Sequence, residues 1–182
     1  MGHSELVHDG ADLETKLFIN TIVAAYKAGV EDPTLKILET PSRTSAEKQY
    51  EYITYDDAIN GKAITDTVSY YFTLSDPNLT SSQKTITMEY AYYDANGNRQ
   101  ILSDSDVSVK DVTMGTGVMD GRYTSGHVYQ VTLNGMADKM AGVQEATLEA
   151  KVTSSFDYYG RQEMHSATKQ LKILKTQLMN LR

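Results

Sequence analysis

The chain has 182 residues, a formal net charge of −7, 40% hydrophobic and 23% charged residues, and no cysteine. That length supports one domain or one domain plus an appendage, and the composition excludes wholesale disorder, collagen-like repeats and a disulfide scaffold. Without cysteine there is no thiol nucleophile and no Cys-ligated metal, while the acidic balance argues against a nucleic-acid partner, which needs clustered Lys and Arg.

The opening Met1-Gly2-His3-Ser4 lacks the basic stretch and apolar run of a secretory signal, so the chain is expected to be either cytosolic or a piece of a longer exported protein. No stretch approaches the roughly 18 consecutive apolar residues of a membrane-spanning helix. Residues Asp12 to Gly29 read as a helix, with Asp12 as N-cap, Glu14 in the first turn, and Gly29 and Pro33 as the stop. Leu13, Leu17, Phe18, Ile19, Ile22, Val23, Ala25 and Tyr26 cover more than one narrow stripe of it, so it wants neighbours on several sides. The few residues before it cannot supply them. A boundary near Pro33 follows: 1–33 is a helical segment left from an upstream α/β domain, and 34–182 a separate domain. An apolar helix cut from its partner is also expected to pair with a second copy through Leu17, Phe18, Ile22 and Tyr26, giving a homodimer.

From Thr34 the period changes to alternation. Val68, Tyr70, Phe72 and Leu74 form one apolar face, Ile86, Met88, Tyr90 and Tyr92 another, Tyr129, Val131 and Leu133 a third, Leu148, Ala150 and Val152 a fourth, and Leu171 with Ile173 a fifth. Shorter strands are expected at Thr34 to Glu39, Gln49 to Tyr55 and Val107 to Val112. Turn signals lie at Asp76-Pro77-Asn78, Asn96-Gly97 and Asn134-Gly135. The expected fold class is therefore mainly β, an Ig-like antiparallel β-sandwich of about seven to eight strands preceded by one N-terminal α-helix. The missing Cys and Trp remove the antibody-type core pin. Asn96-Gly97 is expected to make a two-residue type I′ turn with positive φ at both positions, capped by Asp94.

Charge is uneven, with six acids and two bases in residues 1–33 but five bases and one acid in 161–182. Solvated strand faces guarded by lysine account for this; attraction between the ends, or toward a neighbouring domain, is the sharper alternative.

Two stretches, Gly2-His3-Ser4 with Lys16 to Gly29 (KLFINTIVAAYKAG), and Asp76 to Leu79 with Met88 to Gly97 (MEYAYYDANG), resemble an uncharacterised family of long cell-surface proteins from Clostridium-like Firmicutes. The resemblance implies a secreted or cell-surface parent with an amidotransferase-like α/β domain upstream, whose last helix would be the one in 1–33. It carries over no catalytic residue.

Candidate chemistry is sparse. His3 and His8, five apart, do not share a helix face and form no His-Glu-x-x-His motif; His127 and His165 read as surface residues, the latter in a polar hairpin. Asp56-Asp57, Asp76 to Asn78, Asp94 to Asn98 and Asp104 to Asp106 are acid-and-amide clusters. The third places its glycine at position 4 and no Glu at position 12, so it is not an EF-hand, and a calcium site would need two such loops at one sandwich end. Carboxylates suited to glycoside hydrolysis would have to converge from distant strands. Of the thirteen tyrosines, Tyr70, Tyr90, Tyr92 and Tyr129 fall on inward faces, whereas Tyr50, Tyr52, Tyr71, Tyr158 and Tyr159 are candidates for an exposed strip that stacks on sugars or a protein partner. Asn78-Leu79-Thr80 is a formal glycosylation sequon without further support.

The sequence thus assigns no catalytic, cofactor-binding or metal residue and no cofactor. It reads as a non-catalytic β-sandwich module, a spacer or binder of a carbohydrate or protein ligand, with an accessory domain of a hydrolase or a tyrosine-based carbohydrate-binding module as alternatives.

Overall fold

The computed structural model describes residues 9–56, 62–63, 66–76, 85–118, 122–141, 143–158 and 160–177. The chain divides into two compact units, Met1–Glu31 and Asp32–Arg182.

The first unit is helix α1, Asp9–Val30. It begins before Asp12, which is therefore inside the helix and not its N-cap: nothing between Asp9 and Asp12 breaks the helix, and the Asp12 carboxylate accepts from Lys16 Nζ at 2.5 Å, one turn on. Glu31, Asp32 and Pro33 follow its last turn, and a residue preceding proline is held out of the helical region. Leu13, Leu17, Phe18, Ile19, Ile22 and Val23 are all exposed, Leu17 at 67% and Phe18 at 66%.

The second unit contains β1 (Thr34–Leu38), β2 (Tyr50–Asp56), β3 (Lys62–Ala63), β4 (Val68–Ser75), β5 (Thr85–Tyr93), β6 (Arg99–Ile101), β7 (Val107–Asp111), β8 (Thr116–Gly117), β9 (Val128–Leu133), a short helix α2 (Met136–Lys139), β10 (Glu145–Tyr158) and β11 (Arg161–Gln177). Three of these, β3, β6 and β8, are only two or three residues long and carry no alternation to read. The others match the expected strands, although β10 and β11 run far beyond Leu148–Thr153 and Gln170–Ile173.

One sheet has the order β1-β4-β9-β7-β8 and the other β3-β2-β11-β10-β5-β6. Set against immunoglobulin order, β1-β4-β9-β7 is the ABED sheet and β5-β10-β11 the CFG sheet, so the fold is an Ig-like sandwich. Among the described strands every pairing is antiparallel except β2 with β11, which is parallel from Lys172↔Tyr50 to Gln177↔Tyr55. The first two strands thus lie in different sheets. Between them the chain folds back on β1, with Lys48 N donating to Ile37 O at 2.9 Å and Glu39 N to Ala46 O at 3.0 Å.

The inner faces close on a single core. Ile37, Tyr70, Phe72, Leu74, Tyr129 and Val131 from one sheet meet Ile53, Tyr90, Leu148, Val152, Leu171 and Ile173 from the other. Aromatic rings replace the cysteine-and-tryptophan pin. Phe72 stacks on Tyr129 with centroids 5.2 Å apart, Tyr123 meets Tyr129 edge-on at 5.0 Å, and Tyr90 of β5 lies opposite Ala150 of β10. Met136 of α2 and Met140 just after it join the core; Asp66 holds that helix by accepting from Met136 N through its carbonyl and from Ala137 N through its carboxylate.

The β5–β6 turn differs from expectation. Gly97 N donates to Asp94 O at 2.9 Å and Asp94 N to Asn98 O at 3.0 Å, so Ala95-Asn96-Gly97 is a three-residue loop with Gly97 at φ 79, the geometry of a type I turn plus a G1 bulge. The extra residue follows from Asp94, whose Oδ1 accepts from both Asn96 N and Asn98 N at 2.9 Å and fixes the wider loop.

Candidate functional site

The outward face of the six-stranded sheet gathers polar side chains from four strands, because strand alternation turns every second residue away from the core. Arg99 on β6 donates through Nη2 to Glu89 on β5 at 2.5 Å and through Nε to Glu149 on β10 at 2.8 Å. Tyr93 Oη donates to the other Glu149 oxygen at 3.0 Å, and Gln170 Nε2 on β11 reaches it at 3.4 Å. Glu149 is 8% exposed. Burial works to raise its carboxyl, but the Arg99, Tyr93 and Gln170 hydrogen bonds outweigh it and hold the group below the usual carboxylate range. The two carboxylates grip one guanidinium between them and tie β5, β6 and β10 together.

On the same face β2 presents Tyr50 and Tyr52, two residues apart and 45% and 53% exposed. Their register partners on β11 are Lys172 and Leu174, and Lys172 Nζ pairs with Glu145. Tyr71 is half-buried; the Tyr158 side chain and Tyr159 lie outside the described residues.

A cleft of about 560 Å³ is lined by residues of β5, β6, β7 and β10 and of the segments that follow β6 and β8. Met88, Tyr90, Leu102, Val107, Val109, Val118 and Tyr123 give it apolar walls, and Thr87, Glu89, Ile101, Asp104, Lys151 and Thr153 complete the lining. Tyr90 Oη is buried without a hydrogen bond; burial, then the neighbouring Tyr123 and Tyr70 hydroxyls, push it well above the ordinary tyrosine range. Tyr70 and Tyr123 shift the same way, burial first.

The two described histidines are not free surface residues. His127, just before β9, places Nδ1 2.8 Å from Asp111 Oδ2, while Asp111 Oδ1 accepts from Met114 N at 3.0 Å. That buried carboxylate ties the β7–β8 turn to β9. His165 lies within β11, not in a hairpin loop; its ring stacks on Phe156 at 5.6 Å and its Nδ1 lies 2.8 Å from Asp32 Oδ1. Beside it stands Ser154, so Asp32, His165 and Ser154 have the residue types of an acyl-transfer triad. The arrangement lacks its function: Ser154 is fully buried and its Oγ makes no hydrogen bond to the imidazole.

Asp94 is a turn cap, its carboxyl lowered mainly by the Asn98 backbone amide, and Asp106 pairs with Ser103 and Lys139. His3, His8, Asp57, Asn78 and the remainder of the Asp76–Asn78 cluster beyond Asp76 lie outside the described residues, as does the Asp56 side chain. Among the described residues no group of three or more His, Asp and Glu could hold a metal ion, and no helix is long and apolar enough to cross a membrane. Sequence reading missed the Arg99 clamp, whose partners lie 10 and 50 residues away. Only the Asn96-Gly97 turn signals that Arg99 returns alongside β5.

No family description and no curated protein matches the chain. Among solved structures it is similar to AggA, the major subunit of aggregative adherence fimbriae type I from Escherichia coli, at 12% identity and a TM-score of 0.39, covering 80% of this chain and 97% of that one. The CooA pilin subunit from enterotoxigenic Escherichia coli gives 12% identity and a TM-score of 0.35 over 80% and 99%. A family 123 glycoside hydrolase from Clostridium perfringens gives 8% identity and a TM-score of 0.37 over 80% of this chain and 28% of that one.

Proposed function

We propose that the chain is a non-catalytic Ig-like module of a larger exported bacterial protein, acting as a spacer at the cell surface. The observation that supports this is the Arg99 clamp: the adjacent carboxylates of Glu89 and Glu149 both bind one guanidinium and serve to lock β5, β6 and β10 together. In this reading the parent is of the Firmicutes cell-surface type and α1 is the last helix of an upstream α/β domain, the partner for its exposed apolar side chains. The isolated chain covers the same residues by forming a homodimer. Chromogenic glycosides and esters test the non-catalytic reading: no turnover is expected, and a turnover lost in Glu149→Gln overturns it. Replacing Leu17, Phe18 and Ile22 by Ser tests the helix; light scattering should report monomers, and a dimer unchanged by the triple substitution refutes the contact.

A second reading, a carbohydrate-binding module, is favoured by Tyr50 and Tyr52, which expose rings at i and i+2 on one sheet face. Retarded migration in glycan-containing gels, lost in Tyr50→Ala with Tyr52→Ala, selects it over the spacer.

A further inference from the structure

Strand β5 pairs with β10 from Thr85 to Tyr92, but on its other side β6 covers only Ala91 to Tyr93. Leu102 N donates to Tyr90 O at 2.8 Å, so the Tyr90 backbone groups point away from β10. In an antiparallel strand the N–H and C=O of one residue point to the same side and alternate along the chain. Met88 and Ile86 therefore also direct an amide and a carbonyl outward, and among the described residues no strand pairs with β5 there. This row of donors and acceptors borders the cleft whose walls are Met88, Tyr90, Val109, Val118 and Tyr123. An unpaired edge beside an apolar groove is the arrangement that strand addition uses.

We propose that this edge and cleft form a docking site for an extended peptide of another protein, with apolar residues at every second position and an acidic residue between them. The backbone requirement comes from the outward groups of Ile86 and Met88, which only another strand satisfies in register. The alternation comes from the two sides of the site, since one face of an added strand enters the cleft and the other stands beside Thr87, whose register partner on β10 is Thr153. The acidic position comes from Lys151, which lines the same space and takes part in no ion pair among the described residues, whereas Glu89 is already held by Arg99. The inference goes beyond the spacer reading and stands without it, because it rests on the outward backbone groups of Ile86 and Met88, which take no part in the Arg99 clamp.

The probe is a capped heptapeptide, Glu-Val-Thr-Val-Glu-Val-Thr, fluorescently labelled and titrated against the full chain by polarisation. Saturable binding is expected, weakened about tenfold or more when the peptide amides on one edge are N-methylated, a change that leaves the protein untouched. Met88→Pro, which removes an outward donor and no β5–β10 ladder bond, should weaken binding similarly while the melting transition persists; Lys151→Glu should weaken this peptide and favour one with Lys in place of Glu. No saturable binding up to about 1 mM, or equal binding of the N-methylated peptide, overturns the proposal. So does a concentration-dependent dimer abolished by Met88→Pro, which would make a second copy the occupant.

Discussion

Ser154 and His165 stand opposite each other in the β10–β11 ladder, and each buries a polar atom, Ser154 Oγ and His165 Nε2, that has no hydrogen-bond partner among the described residues. The imidazole is held from its other side by Asp32 and stacked on Phe156. A buried hydroxyl without a partner is destabilising relative to a methyl of the same shape. Ser154→Ala should therefore be neutral or raise stability by up to about 1 kcal/mol in urea melts. A loss of more than about 1 kcal/mol would show that the hydroxyl is bonded.

The core tyrosines set an alkaline limit. Tyr70, Tyr90, Tyr123 and Tyr129 are all raised above the ordinary value of 10.0, burial being the first cause in each. The unfolded chain therefore loses these protons before the folded one, so their contribution is complete below pH 10.0 and is lost as pH rises toward the folded values. Denaturation midpoints should fall as pH rises from about 10 to 11.5, and less so in Tyr70→Phe. An equal fall in that variant would assign the loss to other groups.

On the acid side the sign reverses. Glu149 is held below its ordinary value of 4.5, so its contribution is present above that pH and disappears as pH falls through the lower folded value. Glu149→Gln should cost about 1–3 kcal/mol near neutrality and flatten the acid limb of the stability curve. Loss of neutral stability without a change in that limb would show that packing, not the carboxylate, is responsible.

Gly97 has φ 79 and open space where a Cβ would stand, so a substitution there meets backbone strain alone. Gly97→Val should destabilise by about 1–2 kcal/mol and Gly97→Asn by less, because Asn tolerates the left-handed region. Equal melting temperatures for all three chains would contradict the loop geometry.

What was legible in the sequence was what alternates. Val68, Tyr70, Phe72 and Leu74 are buried and their intervening residues are not, which is the pattern on which the sandwich was expected. Strand β11 was mostly hidden because its first half turns Glu163, His165, Ala167 and Lys169 to the same side as Leu171, so no apolar face shows before residue 171. The turn at Asn96-Gly97 was found, but its loop length was set two residues earlier, by Asp94. The Arg99 clamp could not be read because it depends on register: Glu89, Glu149 and Arg99 become neighbours only after β5, β6 and β10 have paired.

The parallel ladder between β2 and β11 has a mechanical meaning. A tensile load entering through the segment before β2 and leaving after Gln177 pulls the two strands in opposite senses along their own axes. The rungs from Lys172↔Tyr50 to Gln177↔Tyr55 then bear the load together, in shear, whereas an antiparallel hairpin pulled at its open end gives way one rung at a time. A load on that path thus meets the only parallel pair among the described strands in shear.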